Sequence, residues 1–408
     1  MIRFVRSARF SVWLAVAVIL GLAAPLASAA LPQGGSWIAV SDPLPIGSAA
    51  RSGEPVMRLP DPSESRWALL KSLADDKPAS GSVAGQVTVK VSVRDPNARK
   101  RGVVRVAGAD RYETALEASE AFENGTSTVV IATGMNWPDA LGGTALAGAV
   151  RGPLLLTRTN ELPAAVRDEL VRLGARKVYI LGGTAAVGPA VERSLVELLG
   201  RNGVVRLGGA DRYATARLVA DETIRVLGGR YSGDALVVTG TNFPDATGGS
   251  ALAAALGRPI LLVDGAGYVY VPQATRRVLI LGGPAAVPAN VEVALQRRLG
   301  PGNVKRVGGA NRYETAALVA QVGIDAGMTW DGVGVATGAD FPDALSGGAM
   351  LGARNSVLLL STPGALSPEA EALLLANAGA IDTLHIFGGP NAVAPSTEDA
   401  IRRATGIF

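Results

Sequence analysis

The chain has 408 residues, 48% of them hydrophobic and 18% charged, which is globular rather than disordered composition. It has no cysteine and one histidine, which excludes disulfides, thiolate catalysis, a cysteine-based zinc site and a multi-histidine metal centre. The formal net charge is +4, but setting aside Arg3, Arg6 and Arg9 leaves 36 cations against 35 carboxylates, and no basic stripe with interleaved aromatics points to nucleic acid.

Arg3, Arg6 and Arg9 precede an apolar run from Phe10 to Ala24. Pro25 breaks the run, and Ala27-Ser28-Ala29 has the small-x-small pattern that signal peptidase reads. Residues 1–29 are therefore expected to be a cleaved export signal. The alternative is a retained anchor, since Phe10–Ala30 is almost long enough to span a bilayer. No second apolar run of membrane length follows, so no membrane span is expected after cleavage. Residues 30–101 carry turn punctuation such as Ser41-Asp42-Pro43 and one alternating stretch, Val87–Val93, that predicts a strand. They are expected to be a linker or small β segment, with Arg99-Lys100-Arg101 as its solvated end.

From residue 102 the chain is written three times. Gly-Ala-Asp-Arg-Tyr-Glu-Thr-Ala at Gly108–Ala115 returns at Gly209–Ala216 and, with Asn for Asp, at Gly309–Ala316. A spacing near 100 residues is too long for a solenoid turn, whose period is roughly 20–50 residues. Each copy is large enough for a small domain. The copies are expected over 102–202, 203–302 and 303–408. The first predicts strands at Val103–Val106, Thr128–Ala132, Pro153–Leu156 and Lys177–Leu181. Its helices are predicted at Tyr112–Phe122, Pro138–Val150, Pro163–Leu173 and Ala186–Leu199. Apolar strands separated by helices imply α/β units of βα-alternating, parallel sheet covered on both faces. The second copy is shortened: the third helix is replaced by Asp264–Tyr270, which has no helical period.

The recurring polar residues fall in the loops after the strands. They are Asp110, Arg111, Asn136, Asp139 and Gly183; Asp211, Arg212, Asn242, Asp245 and Gly283; Asn311, Arg312, Asp340, Asp343 and Gly389. In a parallel layer these loops share the carboxyl edge, where such sheets bind ligands, and several open helices whose free N–H groups suit anions. Structural readings stand beside that one. Asp110 with Glu113 fits an N-cap and its capping-box partner, though Ala214 breaks the box in copy two. Pro138 suits the first helical position, Tyr112 suits packing, and Gly182-Gly183 suits a tight turn. Arg111 is a cation at the wrong end of a helix dipole, so it needs a carboxylate, with Asp139 the nearest by sequence, or an anionic ligand. His385 aligns with Tyr179 and Leu279, a packing position. No Gly-x-Ser-x-Gly elbow and no Gly-Lys pair occur, so no catalytic residue, metal or cofactor is expected. An Asp110/Asp139 acid–base pair remains the enzymatic alternative.

Arg206–Ala216, Ala336–Leu345, Pro259–Leu262 and Ile280–Val287 together resemble the motifs of the cell-wall-binding repeat type 2 family, in the usual count of three. The resemblance covers about residues 103–408. It implies three Toprim-like α/β units packed in a pseudo-threefold ring within one monomer. It further implies an exported protein of a Gram-positive bacterium, held non-covalently at the cell surface by an anionic wall polymer of the teichoic-acid kind. The excess of arginine over lysine fits a GC-rich, actinobacterial source. Departures are Asn311 for Asp, Thr247 for Leu, Ser356-Val357 for Pro-Ile and the missing helix of copy two, which reads as a degraded site serving to close the ring. A wall-active enzyme and a surface-layer or adhesion protein with a protein ligand are the competing readings.

Overall fold

A computed structural model describes residues 101–408; the expected export signal and the strand expected at Val87–Val93 lie outside the described residues. The first copy runs β1 (Gly102–Val106), α1 (Arg111–Ser119), β2 (Thr128–Thr133), α2 (Trp137–Val150), β3 (Leu154–Thr157), α3 (Ala164–Arg172), β4 (Lys177–Leu181) and α4 (Pro189–Leu199). The second runs β5 (Val204–Leu207), α5 (Arg212–Leu227), β6 (Asp234–Thr239), α6 (Pro244–Thr247), α7 (Ser250–Leu256), β7 (Ile260–Val263), β8 (Arg277–Leu281) and α8 (Ala289–Leu299). The third runs β9 (Val304–Val307), α9 (Arg312–Asp325), β10 (Thr329–Thr337), α10 (Pro342–Ala353), β11 (Ser356–Ser361), α11 (Pro368–Asn377), β12 (Thr383–Phe387) and α12 (Pro395–Thr405). No helix lies between β7 and β8; Val263 instead bridges Val269.

The strands form three parallel four-stranded sheets, ordered β3-β2-β4-β5, β7-β6-β8-β9 and β11-β10-β12-β1. Each sheet therefore takes its edge strand from the next copy. The last sheet takes the first strand of all: Gly102 pairs with Thr383 and Val106 with Phe387. This exchange closes the three sheets into a ring and is invisible in the periodicity, which shows strands but not partners.

The strands are apolar throughout because both faces are covered. In β2, Val130 and Ala132 face a core shared by all three copies, while Val129 and Ile131 face the core under α3 and α4. The shared core centres on α2, α7 and α10, which pack against one another. These helices are dense in Ala and Gly because they approach closely: a Cβ at Gly148 or at Gly352 would overlap Ala254. At the heads of α2, α6 (which leads into α7) and α10, Phe243 meets Trp137 at 6.4 Å and Phe341 at 6.0 Å between ring centroids. The three helices thus run in one direction about the pseudo-threefold axis, and the carboxyl edges of all three sheets open at the same end.

A second recurring arginine ties the exchanged strands. Arg105 in β1 bonds Glu398 of α12 at 2.7 Å and the Gly388 carbonyl at 2.7 Å. Arg206 does the same with Glu192 and Gly182, and Arg306 with Glu292 and Gly282. Arg101 is exposed, as a solvated linker end would be, and its guanidinium also bonds the carbonyls of Ile381, Ala378 and Thr405. Its cation complements the ends of the chain's last helical segments. A double-mutant cycle of Arg105→Ala and Glu398→Ala is expected to give a coupling of about 1–2 kcal/mol in denaturant unfolding. Strict additivity would contradict ring closure by this pair.

Candidate functional site at the three copy junctions

At the carboxyl edge of the first sheet the loops after β2, β3, β4 and β5 surround a cleft of about 320 Å3. Asn136, Asp139, Thr159, Gly183, Asp211 and Arg212 line it. Because β5 belongs to copy two, the cleft is built from two copies. By the same exchange, Asn242, Asp245, Gly283, Asn311 and Arg312 stand at the edge of the second sheet. Asp340, Asp343, Gly389, Asp110 and Arg111 stand at the edge of the third. The fifteen residues singled out from sequence are thus gathered in three groups of five, with different partners from those the copies suggest.

The first aspartate of each copy caps a helix. Asp110 accepts from Tyr112 N at 2.9 Å and Glu113 N at 3.0 Å, and Asn311 accepts from Tyr313 N at 2.8 Å and Glu314 N at 2.9 Å. Asp211 accepts from Ala214 N at 2.7 Å. An amide oxygen serves this role as well as a carboxylate, which explains the exchange at Asn311. Glu113 and Glu314 close back on the N–H groups of Ala109 and Ala310, one residue before the cap. Asn136, Asn242 and Asp340 each accept the N–H of the following aromatic residue.

The arginines follow a cyclic rule. Arg111, Arg212 and Arg312 each donate Nη1 to the carbonyl of Gly134, Gly240 and Gly338 in their own copy. Each guanidinium lies over the aromatic ring of the preceding copy: Arg111 over Phe341 at 5.6 Å, Arg212 over Trp137 at 5.5 Å, Arg312 over Phe243 at 6.0 Å. Arg111 also reaches Asp340 at 3.4 Å. Asp139 is therefore not the carboxylate of Arg111; the cation that acts on Asp139 is Arg212, and the one that acts on Asp343 is Arg111. Likewise Asp110 and Asp139 stand at the edges of different sheets, so the acid–base pair expected to share one edge does not. The ring of Trp137, Phe243 and Phe341 was not singled out, although the recurring aromatic before Pro-Asp-Ala was its signal. Arg158, stacked on Tyr112 at 4.7 Å and 3.4 Å from Asp110, has no such signal.

The second aspartate is unlike the first. Burial pushes the Asp139 carboxyl up to about 6, against the pull of Arg212. Burial and then the charge of Asp340 push Asp343 to about 6, against Arg111. No described residue donates a hydrogen bond to either carboxylate. Each lies beneath a glycine in the left-handed region, Gly182 at φ 100° and Gly388 at φ 103°, with Gly282 over Asp245 at φ 103°. A side chain at any of the three would strain the turn and overlap the carboxylate. By contrast a Cβ at Gly183, Gly283 or Gly389 would meet no atom closer than 3.5 Å, and Gly183 lines the cleft.

The raised groups carry a sign. The folded protein holds protons on Asp139 and Asp343 that the unfolded chain releases between pH of about 4 and about 6. Their contribution favours folding fully below the unfolded value and is lost as pH rises through about 6. Replacing both by asparagine is expected to flatten this part of the stability–pH curve and to raise stability at pH 7 relative to pH 4. Denaturant midpoints at both pH values check it; an unchanged difference would contradict the burial argument. His385, buried with Nδ1 at 3.1 Å from the Gly332 carbonyl, is pushed down to about 4 chiefly by burial and stays neutral at pH 7. It occupies the strand position held by Tyr179 and Leu279, as a packing residue does.

Comparison with known proteins follows the same repeat. Cell wall binding domain 2 (CWB2) matches residues 105–192, 206–292 and 306–398. The chain is 28% identical over 281 residues to "N-acetylmuramoyl-L-alanine amidase LytC" of Bacillus subtilis (strain 168), covering 67% of this chain and 53% of that protein. It is 30% identical over 258 residues to the "Amidase enhancer" of the same organism, covering 62% and 34%. Among solved structures, Cwp8 from Clostridium difficile superposes with a TM-score of 0.66 at 24% identity, over 75% of this chain and 52% of that one. Cwp6 from the same organism superposes with a TM-score of 0.62 at 22% identity, over 79% and 51%. These structural likenesses concern the fold. The chain spans about half or less of the length of the relatives it matches.

Proposed function

Because the chain belongs to the cell wall binding domain 2 family, we propose that it is an exported protein whose residues 102–408 anchor it non-covalently to an anionic polymer of a Gram-positive wall, of the teichoic-acid kind. The three junction clefts are the binding sites. The observation that carries this reading is the pair of half-buried carboxylates, Asp139 and Asp343, that have no hydrogen-bond donor from a described residue, Asp139 lining the cleft of the first junction. Such a group suits a polymer hydroxyl, which donates where the protein does not. At the first junction Arg212, and at the second Arg312, uses one guanidinium nitrogen on a backbone carbonyl, and the others can take a phosphate oxygen. The N-terminal ends of α2 and α10 add their dipoles. Three modest sites on one rigid ring, facing one way, gain ~10²–10⁴ over a single site on a polymer that repeats the same unit.

No helix among the described residues is long and apolar enough to cross a membrane. The amidase activity named for a relative belongs to that protein; here the clefts bind and do not cleave. The test is sedimentation of the full chain with purified Gram-positive wall, before and after hydrofluoric-acid stripping of phosphodiester polymers. Retention that disappears on stripping supports the reading. Retention that persists points to a glycan-backbone or protein ligand, and release of soluble fragments by the protein alone would make it an enzyme.

A further inference from the structure

Copy two is not merely shorter. In copy one α1 packs against α3, and in copy three α9 packs against α11. Copy two has no counterpart helix, and α5 is left facing a cleft of about 160 Å3 at the carboxyl end of β7. Tyr213, Arg217, Asp264, Tyr268 and Tyr270 line it, over Leu261 and Leu262. The sequence has been adapted to this opening. The position held by Leu116 in copy one and by Ala317, 1% exposed, in copy three is Arg217.

Residues that replace the helix do not refill its space. Asp264 accepts from Ala266 N at 2.9 Å and Tyr268 N at 2.8 Å, which fixes a tight turn and holds Tyr268 out at 74% exposure. Tyr270 donates its hydroxyl to Asp221 at 2.9 Å, and Arg217 lies over its ring at 4.6 Å. The chain has only seven tyrosines; three of them line this cleft, and one of them, Tyr268, is largely exposed on the turn that Asp264 pins. Tyrosines grouped over an apolar floor in one open cleft, unlike a single exposed side chain, mark a ligand-binding groove.

The geometry points to a saccharide site: Tyr268, with Tyr213, Tyr270 and Arg217, binds a single pyranose ring. A tyrosine face is electron-rich and stacks on the polarised C–H face of a pyranose, which an open-chain polyol does not present. Arg217 supplies fixed N–H donors for the ring hydroxyls. The copy that looks degraded thus carries its own contact, different in chemistry from the three clefts. As to source, the proposal rests on the wall-binding reading, which makes the sugar a unit of the wall glycan.

The experiment is titration of the full chain with a β-linked N-acetylglucosamine trisaccharide, followed by tyrosine fluorescence and calorimetry, with a glycerol phosphate oligomer as the ring-free control. Saturable binding of the trisaccharide is expected. Tyr268→Ala should weaken it at least tenfold with no change in thermal midpoint, since Tyr268 is mostly exposed. Tyr268→Phe should preserve it, because the ring and not the hydroxyl makes the contact. Arg217→Leu, which restores the copy-one residue, should weaken it as well. No saturable binding, or equal binding by Tyr268→Ala, overturns the site. Wall sedimentation of the unaltered chain is read separately. Retention by wall without trisaccharide binding sinks this proposal alone, whereas loss of retention sinks the anchoring function itself.

Discussion

Phe341→Ala is expected to destabilise the protein by about 3–5 kcal/mol, the range for removing a buried phenylalanine. For a ring of this size that is a fall of roughly 10 °C in the thermal midpoint. Phe341 is only 7% exposed. It stands at the head of α10, edge-on to Phe243 and beneath Arg111 of copy one. Its loss therefore opens a cavity where all three copies meet and strips the stacking partner from one junction arginine. Because one apolar core joins the copies, unfolding should remain a single transition. Val104→Ala, at an exposed position in β1, is the control and should stay within about 0.5 kcal/mol. A loss below 1 kcal/mol at Phe341, or a separate early transition of copy three, would mean that the aromatic ring does not hold the junctions.

The same geometry changes what the recurring arginines mean. From sequence alone, replacing Arg111, Arg212 and Arg312 together reads as a clean test of ligand contact. In the folded chain each of them ties a glycine carbonyl and covers an aromatic ring. Such a variant would lose stability as well as ligand contacts, so it separates nothing. The rim glycines separate the two roles.

Much of the fold was legible because its signals are local. Lys177–Leu181, Arg277–Leu281 and Thr383–Phe387 are continuous apolar runs between turn residues, and all three are strands with those bounds. Asp110, Pro138 and Gly182 declare their caps and turns by residue type. The gap after Val263 was legible because Asp264–Tyr270 lacks a 3.6-residue period. What periodicity cannot show is which strand lies beside which. β1 and β12 are separated by nearly the whole described chain, and a strand reads the same whether it pairs within its copy or with the next. Both misassigned pairings follow from that one exchange: Asp139 with Arg111, and Asp110 with Asp139. The recurrence of Arg105, Arg206 and Arg306 was visible. Its meaning depended on Glu398, Glu192 and Glu292 in helices that only the exchange brings near.

The sharpest test is to crowd all three junctions without touching what holds the ring together. Gly183, Gly283 and Gly389 line the rims with ordinary backbone angles and open space around them. Changing all three to leucine should leave the thermal midpoint within a few degrees while lowering affinity for purified wall by ~10²–10⁴, with each single change producing only part of the loss. A triple variant that stays folded and sediments with wall as the unaltered chain does would show that the polymer is held elsewhere.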